Sequence, residues 1–422
     1  MGRRARALAL CAAICGAALL GQEGVAAAGA GTPVPDGGEF VIASLDYSTG
    51  RGAAVDEDGN YLVLWYQFFG GYSGRGYSAA GTPDSGFNVE PYGPNATFDP
   101  MDVANLGGDD FAIVWEDAFE GLRGRRYRRD GTPLAPFFEI AGSQGGTLAH
   151  VEPAVARWRP SSGLLAVWAS TDPAGGGDDD GFGILLRALD PGGSGGPPFA
   201  VNTYTTGNQG APEIESAPDG SVLVVWESAG SPGDDGSGRS VQGRWFPAVG
   251  PPGPQFQVNT HTPADQRRPA VAMAPDGSAL VAWDGPSAGD DTDKSIQGRL
   301  VDAQGSPVGS DFQINTTILG LQFEPAVAPR RGGGFHVAWR DSTGVFVQAV
   351  AADGSLLGSE VMVNTSENES YGPPALAGGA LGRFLVAWTD DIGPFRGQRF
   401  REGVFADGFE SGDTAAWSTT VP

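Results

Sequence analysis

Seven short apolar runs, each ending in tryptophan, set the rhythm of the chain: YLVLW at Trp65, FAIVW at Trp115, LLAVW at Trp168, VLVVW at Trp226, ALVAW at Trp283, FHVAW at Trp339 and FLVAW at Trp388. They recur every 49 to 58 residues. A period of this size, with several short strands per unit, is the mark of a propeller blade. No amphipathic stripe of 3.6-residue period runs for even three turns, which excludes helical solenoids. In the clearest unit, RPAVAMA reads as an inner strand and the turn PDGS leads to ALVAW as the second. SIQGRLVDA follows as the third strand, and the turn QGSP leads to DFQINT as the fourth. Asp-Gly and Gly turns between β-formers are hairpin signals.

The fourth strand decides how the array ends. Its copies are EFVIAS at 39–44, FNVEP, FFEIA, FAVNT, FQVNT, FQINT and VMVNT, and the first precedes the first Trp run. After Trp388 a third strand, FRGQRF, follows, but no fourth. The N-terminal EFVIAS is therefore expected to complete the last blade beside the strand near Arg399, hiding the two edges that an open array would expose. The predicted fold is all-β: a seven-bladed β-propeller of four-stranded blades, closed by the N-terminal strand. The predicted organisation is a signal peptide over 1–30, the propeller over 38–400 and a flexible C-terminal tail over 401–422.

Composition sharpens this picture at the ends and in the charge. Residues 1–30 hold Arg3, Arg4 and Arg6, then the apolar run ALALCAAICGAALL, then small residues in VAAAGA. That is the layout of a secretory signal peptide, and the apolar run is shorter than the roughly 20 residues of a membrane span. Both cysteines, Cys11 and Cys15, fall inside it, so the mature chain is expected to be a soluble, exported monomer without disulfides. The chain carries 50 acidic against 26 basic residues and a single lysine, Lys294, which argues against a nucleic-acid or anionic-membrane surface. Gly and Pro together make 68 + 32 = 100 residues, a content that would suggest disorder without the period.

The units FQVNTHT, PAVAMAPDGSALVAW and SIQGRL resemble the Asn-Thr and Trp repeats of large secreted bacterial proteins. PAVAMAPDGSALVAW also resembles the Pro-Asp-Gly repeat of TolB-like propellers, which implies protein binding as a role. The tail FADGFESGDTAAWS is similar to a short C-terminal element of secreted Gram-negative proteins. Together these resemblances imply an exported propeller and little chemistry.

In an up-and-down blade, the loops after the second and fourth strands share one face. Here they are long and acidic, whereas the other face has tight turns at Asp219, Asp276 and Asp353, so a site is expected on the long-loop face. Asp178, Asp179 and Asp180, Asp234 and Asp235, and Asp290, Asp291 and Asp293 cluster in Gly-rich loops there. Such carboxylates are candidate calcium ligands, the alternative being solvated acidic loops. Repeated residues, among them the seven Trp, Asn259, Thr260, Arg244 and Arg299, read as structural, with the arginines stacking on a neighbouring Trp. The position before the inner-strand proline breaks the symmetry: Asp99, Glu152, Ala211, Arg268, Glu324 and Pro373. Asp99, Glu152, Arg268 and Glu324 are candidate ligand-binding residues at a channel mouth, the alternative being solvated strand ends. His150, His261 and His336 show no metal-ligand spacing. The leading expectation is a non-catalytic propeller binding a protein or glycan. A glycan-active hydrolase or lyase using the mouth carboxylates, and a purely structural surface protein, are the alternatives.

Overall fold

The computed structural model describes residues 31–402, except 45–47, 68–70, 90–100, 118–120, 143–149, 159–162, 173–180, 231–237, 288–293, 319, 366–371, 380 and 390–392. It is a seven-bladed β-propeller of antiparallel sheets, each a meander from the axis outward. The inner strands of blades 1 to 7 are Ser48–Val55, Met101–Gly107, His150–Trp158, Gln209–Ser216, Arg267–Met273, Phe323–Pro329 and Ala375–Gly378. Each touches the next and the seventh touches the first, so the ring is closed. Among the described residues no helix is long and apolar enough to cross a membrane.

The tryptophan runs form the second strands, and all seven indoles are buried. Each packs against the preceding blade: Trp226 against Val167 and Ala154, and Trp65 against Ala375 and Phe395 of blade 7. The core is thus divided among seven interfaces between blades, the consequence of stacking sheets whose two faces are both apolar.

The N-terminal segment closes the ring. Phe40–Ala43 pairs with the last strand, Phe395–Glu402, placing Phe40 opposite Gly397. Pro33–Pro35 extends the same edge, with Pro35 opposite Phe400. Ile42 is fully buried. Glu39 takes Arg396 at 2.8 Å and the Thr365 hydroxyl at 2.9 Å, stitching the seam from both sides.

The Asn-Thr repeats lie past the end of the fourth strands rather than inside them. Each Asn turns its Oδ1 back to accept a third-strand amide: Asn202 from Ile184, Asn259 from Val241, Asn315 from Ile296 and Asn364 from Val345, all at 2.7 to 2.9 Å. The Thr then clasps the next blade, Thr203 to Gln255 and Thr260 to Asp311, as Thr365 does to Glu39 across the seam. The expected stacking of the repeated arginines on Trp is corrected. Arg244 and Arg299 reach the carbonyls of Val201 and Val258 in the preceding blade, each at 2.8 Å, because a buried carbonyl needs a donor more than an indole needs a cation.

Candidate functional site at the channel mouth

Four inner strands share one irregularity at the long-loop end. Pairing with the second strand breaks between Val151 and Ala154, Gly210 and Glu213, Arg267 and Ala270, and Phe323 and Ala326. The two skipped residues are in each case an X-Pro pair. Proline has no N–H to give to the ladder, so the strand bulges there. The residue before it is thrown into left-handed backbone, with φ of 55° at Glu152, 46° at Ala211, 52° at Arg268 and 55° at Glu324. Such a conformation is costly for residues with a Cβ and persists only where its surroundings hold it.

In blades 4 to 6 a carboxylate from the blade before holds it. Glu152 accepts the Ala211 amide at 2.6 Å, Glu227 that of Arg268 at 2.7 Å, and Asp284 that of Glu324 at 3.2 Å. Glu227 and Asp284 directly follow Trp226 and Trp283 on the second strands Val222–Ala229 and Ala279–Gly285. Both are buried. Burial pushes the Glu227 carboxyl up, against the Arg268 amide and the charges of Arg239 and Arg267.

Ion pairs continue the network across blades 4 to 6. Arg239 meets Glu227 at 3.0 Å. Asp284 takes Arg268 at 3.0 Å on one oxygen and Lys294 at 3.2 Å on the other. Glu324 is gripped by Arg340 and lies 3.8 Å from Arg268. Phe323 sits among three of these cations, with Lys294 4.8 Å, Arg340 5.2 Å and Arg268 5.9 Å from its ring centre.

Blades 2 and 4 add inner-strand carboxylates. Asp102 and Glu213 occupy equivalent inner-strand positions, opposite Val114 and Val225, where the other blades place Gly52, Ala154, Ala270, Ala326 and Ala375. Asp102 accepts the Val155 amide at 2.8 Å, yet burial raises its pKa to about 6. Glu213 is exposed, yet the protein around it, then the charges of Asp102, Glu215 and Glu152, push its pKa well above the carboxylate range.

Of the expected site residues, Arg268 and Glu324 are brought together, and Glu152 stands at the equivalent place two blades from Arg268. Asp99 lies outside the described residues, as do Asp178, Asp179, Asp180, Asp234, Asp235, Asp290, Asp291 and Asp293. Among the described residues no three His, Cys, Asp or Glu side chains are gathered as a metal site. His150 is buried beside Ser170, its Nδ1 2.8 Å from the hydroxyl, and His336 stacks on Phe384 at 3.9 Å. Glu227, Asp284 and Arg340 were not singled out from the sequence, although each directly follows a repeat tryptophan. Asp102 and Glu213 interrupt a column of Gly and Ala, a signal that aligning the inner strands on the tryptophan thirteen residues further along would have exposed.

No protein-family model and no curated protein matches the chain. Solved structures do. The polysaccharide lyase Uly1 superposes with a TM-score of 0.55 at 9% identity, over 87% of this chain and 100% of that one. A protein of unknown function from Dyadobacter fermentans DSM 18053 gives 0.51 at 12% identity, over 88% and 99%. A puromycin hydrolase gives 0.52 at 14% identity, over 85% of this chain and 53% of that one. At such identities the likeness is one of fold alone, and this chain's own fold is the closed seven-bladed β-propeller that its repeats encode.

Proposed function

We propose that the protein binds a glycan at the channel mouth on its long-loop face, without turning it over. One observation carries this reading: the side chains that break the seven-fold repeat converge at one end of the ring, as Arg268, Asp284, Lys294, Glu324 and Arg340 in contact with one another. Repetition explains residues shared by every blade, but not these. A saccharide offers donors and acceptors every few ångströms along a slender chain, which suits a ring of fixed polar groups better than the flat face of a folded protein. A polysaccharide lyase of the same fold is in keeping with a saccharide at such a scaffold. Binding is favoured over catalysis because Glu152 and Glu324 are both engaged, one by the Ala211 amide and the other by two arginines.

An oligosaccharide array probed with labelled protein tests this. The wild type is expected to retain a defined set of glycans, and Arg268→Ala to weaken them by about tenfold, the scale of one lost charge-assisted hydrogen bond. Release of reducing or unsaturated ends from those glycans, abolished by Glu152→Gln or Glu324→Gln, would instead make the protein an enzyme. An empty array would remove the glycan reading altogether.

A further inference from the structure

The cations of blades 5 and 6 are built differently from ordinary surface ion pairs. Their carboxylate partners lie behind them. Asp284 is 0% exposed, while the Arg268 and Lys294 side chains it holds are 39% and 24% exposed. In the neighbouring pair the Glu227 side chain is 10% exposed and Arg239 32%. Buried acids thus anchor cations that face outward, in a chain that as a whole carries −24.

Among the described ion pairs around Phe323, cations outnumber carboxylates. Arg268, Lys294 and Arg340 bring three positive charges to these pairs, and Asp284 and Glu324 two negative ones. Three like charges within 6 Å of one ring centre repel one another, and an anion brought among them relieves that repulsion. None of this is required by the repeat. Where blade 6 has Arg340 after its tryptophan, the other blades have Tyr66, Glu116, Ala169, Glu227, Asp284 and Thr389, none of them basic. Where it has Phe323, blades 3 to 5 have Val151, Gly210 and Arg267. The only lysine of the chain stands here as well.

We infer that Arg268, Lys294 and Arg340, grouped around Phe323, receive an anionic group of the bound saccharide, a carboxylate or a sulfate ester. The inference rests on the glycan reading above and narrows it to acidic glycans. The guanidinium of Arg340 supplies paired donors for a planar carboxylate, and Lys294 a compact charge that accepts either group.

Calorimetry with four probes tests it: tetragalacturonate, its methyl ester, a chondroitin sulfate tetrasaccharide and its desulfated form. The expected result is that at least one acidic probe binds about tenfold tighter than its neutralised or desulfated partner, with affinity falling as sodium chloride rises. The first pair reports a carboxylate and the second a sulfate. Lys294→Gln should remove most of that preference and Lys294→Arg restore it, with thermal melting confirming that both variants are folded. Equal affinity within each pair, or a preference untouched by Lys294→Gln, overturns the inference. If neutral oligosaccharides from the array bind and lose affinity with Arg268→Ala while no acidic probe binds, the glycan reading stands and the inference falls. If no saccharide of either kind binds, both fall.

Discussion

Deletion of residues 33–43 is expected to replace one sharp unfolding transition with a broad, early one. These residues supply the outer edge of blade 7 from the opposite end of the chain, so removing them opens the ring rather than trimming a terminus. Burial of Ile42 alone is worth about 1.5–3 kcal/mol. With the lost pairing and the Glu39 contacts to Arg396 and Thr365, the total reaches on the order of 5 kcal/mol, or about 10 °C in the melting midpoint. The strand Phe395–Glu402 is then left as an unpaired edge, an invitation to aggregation. Calorimetric melting of the deletion beside the full chain decides the matter: a truncated protein that melts as late and as sharply would show that the seam is dispensable.

The second large effect runs the other way. Asp102→Asn combined with Glu213→Gln is expected to stabilise the fold at pH 7 by on the order of 1–2 kcal/mol, carried by Asp102 because solvent screens the exposed Glu213, and to do nothing at pH 4. Both carboxyls are raised above their unfolded values, Asp102 to about 6 and Glu213 well above the carboxylate range. The folded state therefore keeps protons that the unfolded chain has already released. Stability held at low pH is lost as the pH rises from the unfolded value near 4 through 6, because two crowded carboxylates are then forced to ionise in the channel. The amide replacements carry no charge to ionise, and Asn keeps an acceptor for the Val155 amide. Melting midpoints of the two proteins from pH 4 to pH 8 should start together and separate as the wild type falls. Parallel curves would mean that the two carboxyls titrate as ordinary solvated groups.

The architecture was legible because it is periodic. Seven Trp runs and a count of fourth strands placed the closure at EFVIAS, and the seam is found there. The mouth was legible in part, since the residue before the inner-strand proline stands out in the sequence and, in blades 3 to 6, is also the one the bulge displaces. Its partners were not, because which carboxylate receives the Arg268 or Glu324 amide depends on the stagger between blades, a non-local quantity. The Asn-Thr repeats misled for a related reason. They alternate like strand residues, yet the Asn side chain substitutes for the backbone in the ladder, and hydrophobic alternation has no sign for that.

Hydrogen exchange with the tightest-binding oligosaccharide of the array tests the central claim, that the ligand sits at the channel mouth across blades 4 to 6. The account predicts slower exchange in 209–213, 266–270 and 322–326, the segments around the left-handed residues Ala211, Arg268 and Glu324. The opposite face, with its turns at Asp219, Asp276 and Asp353, should exchange as before. Protection confined to those turns or to the outer strands, with the mouth unchanged, would contradict it.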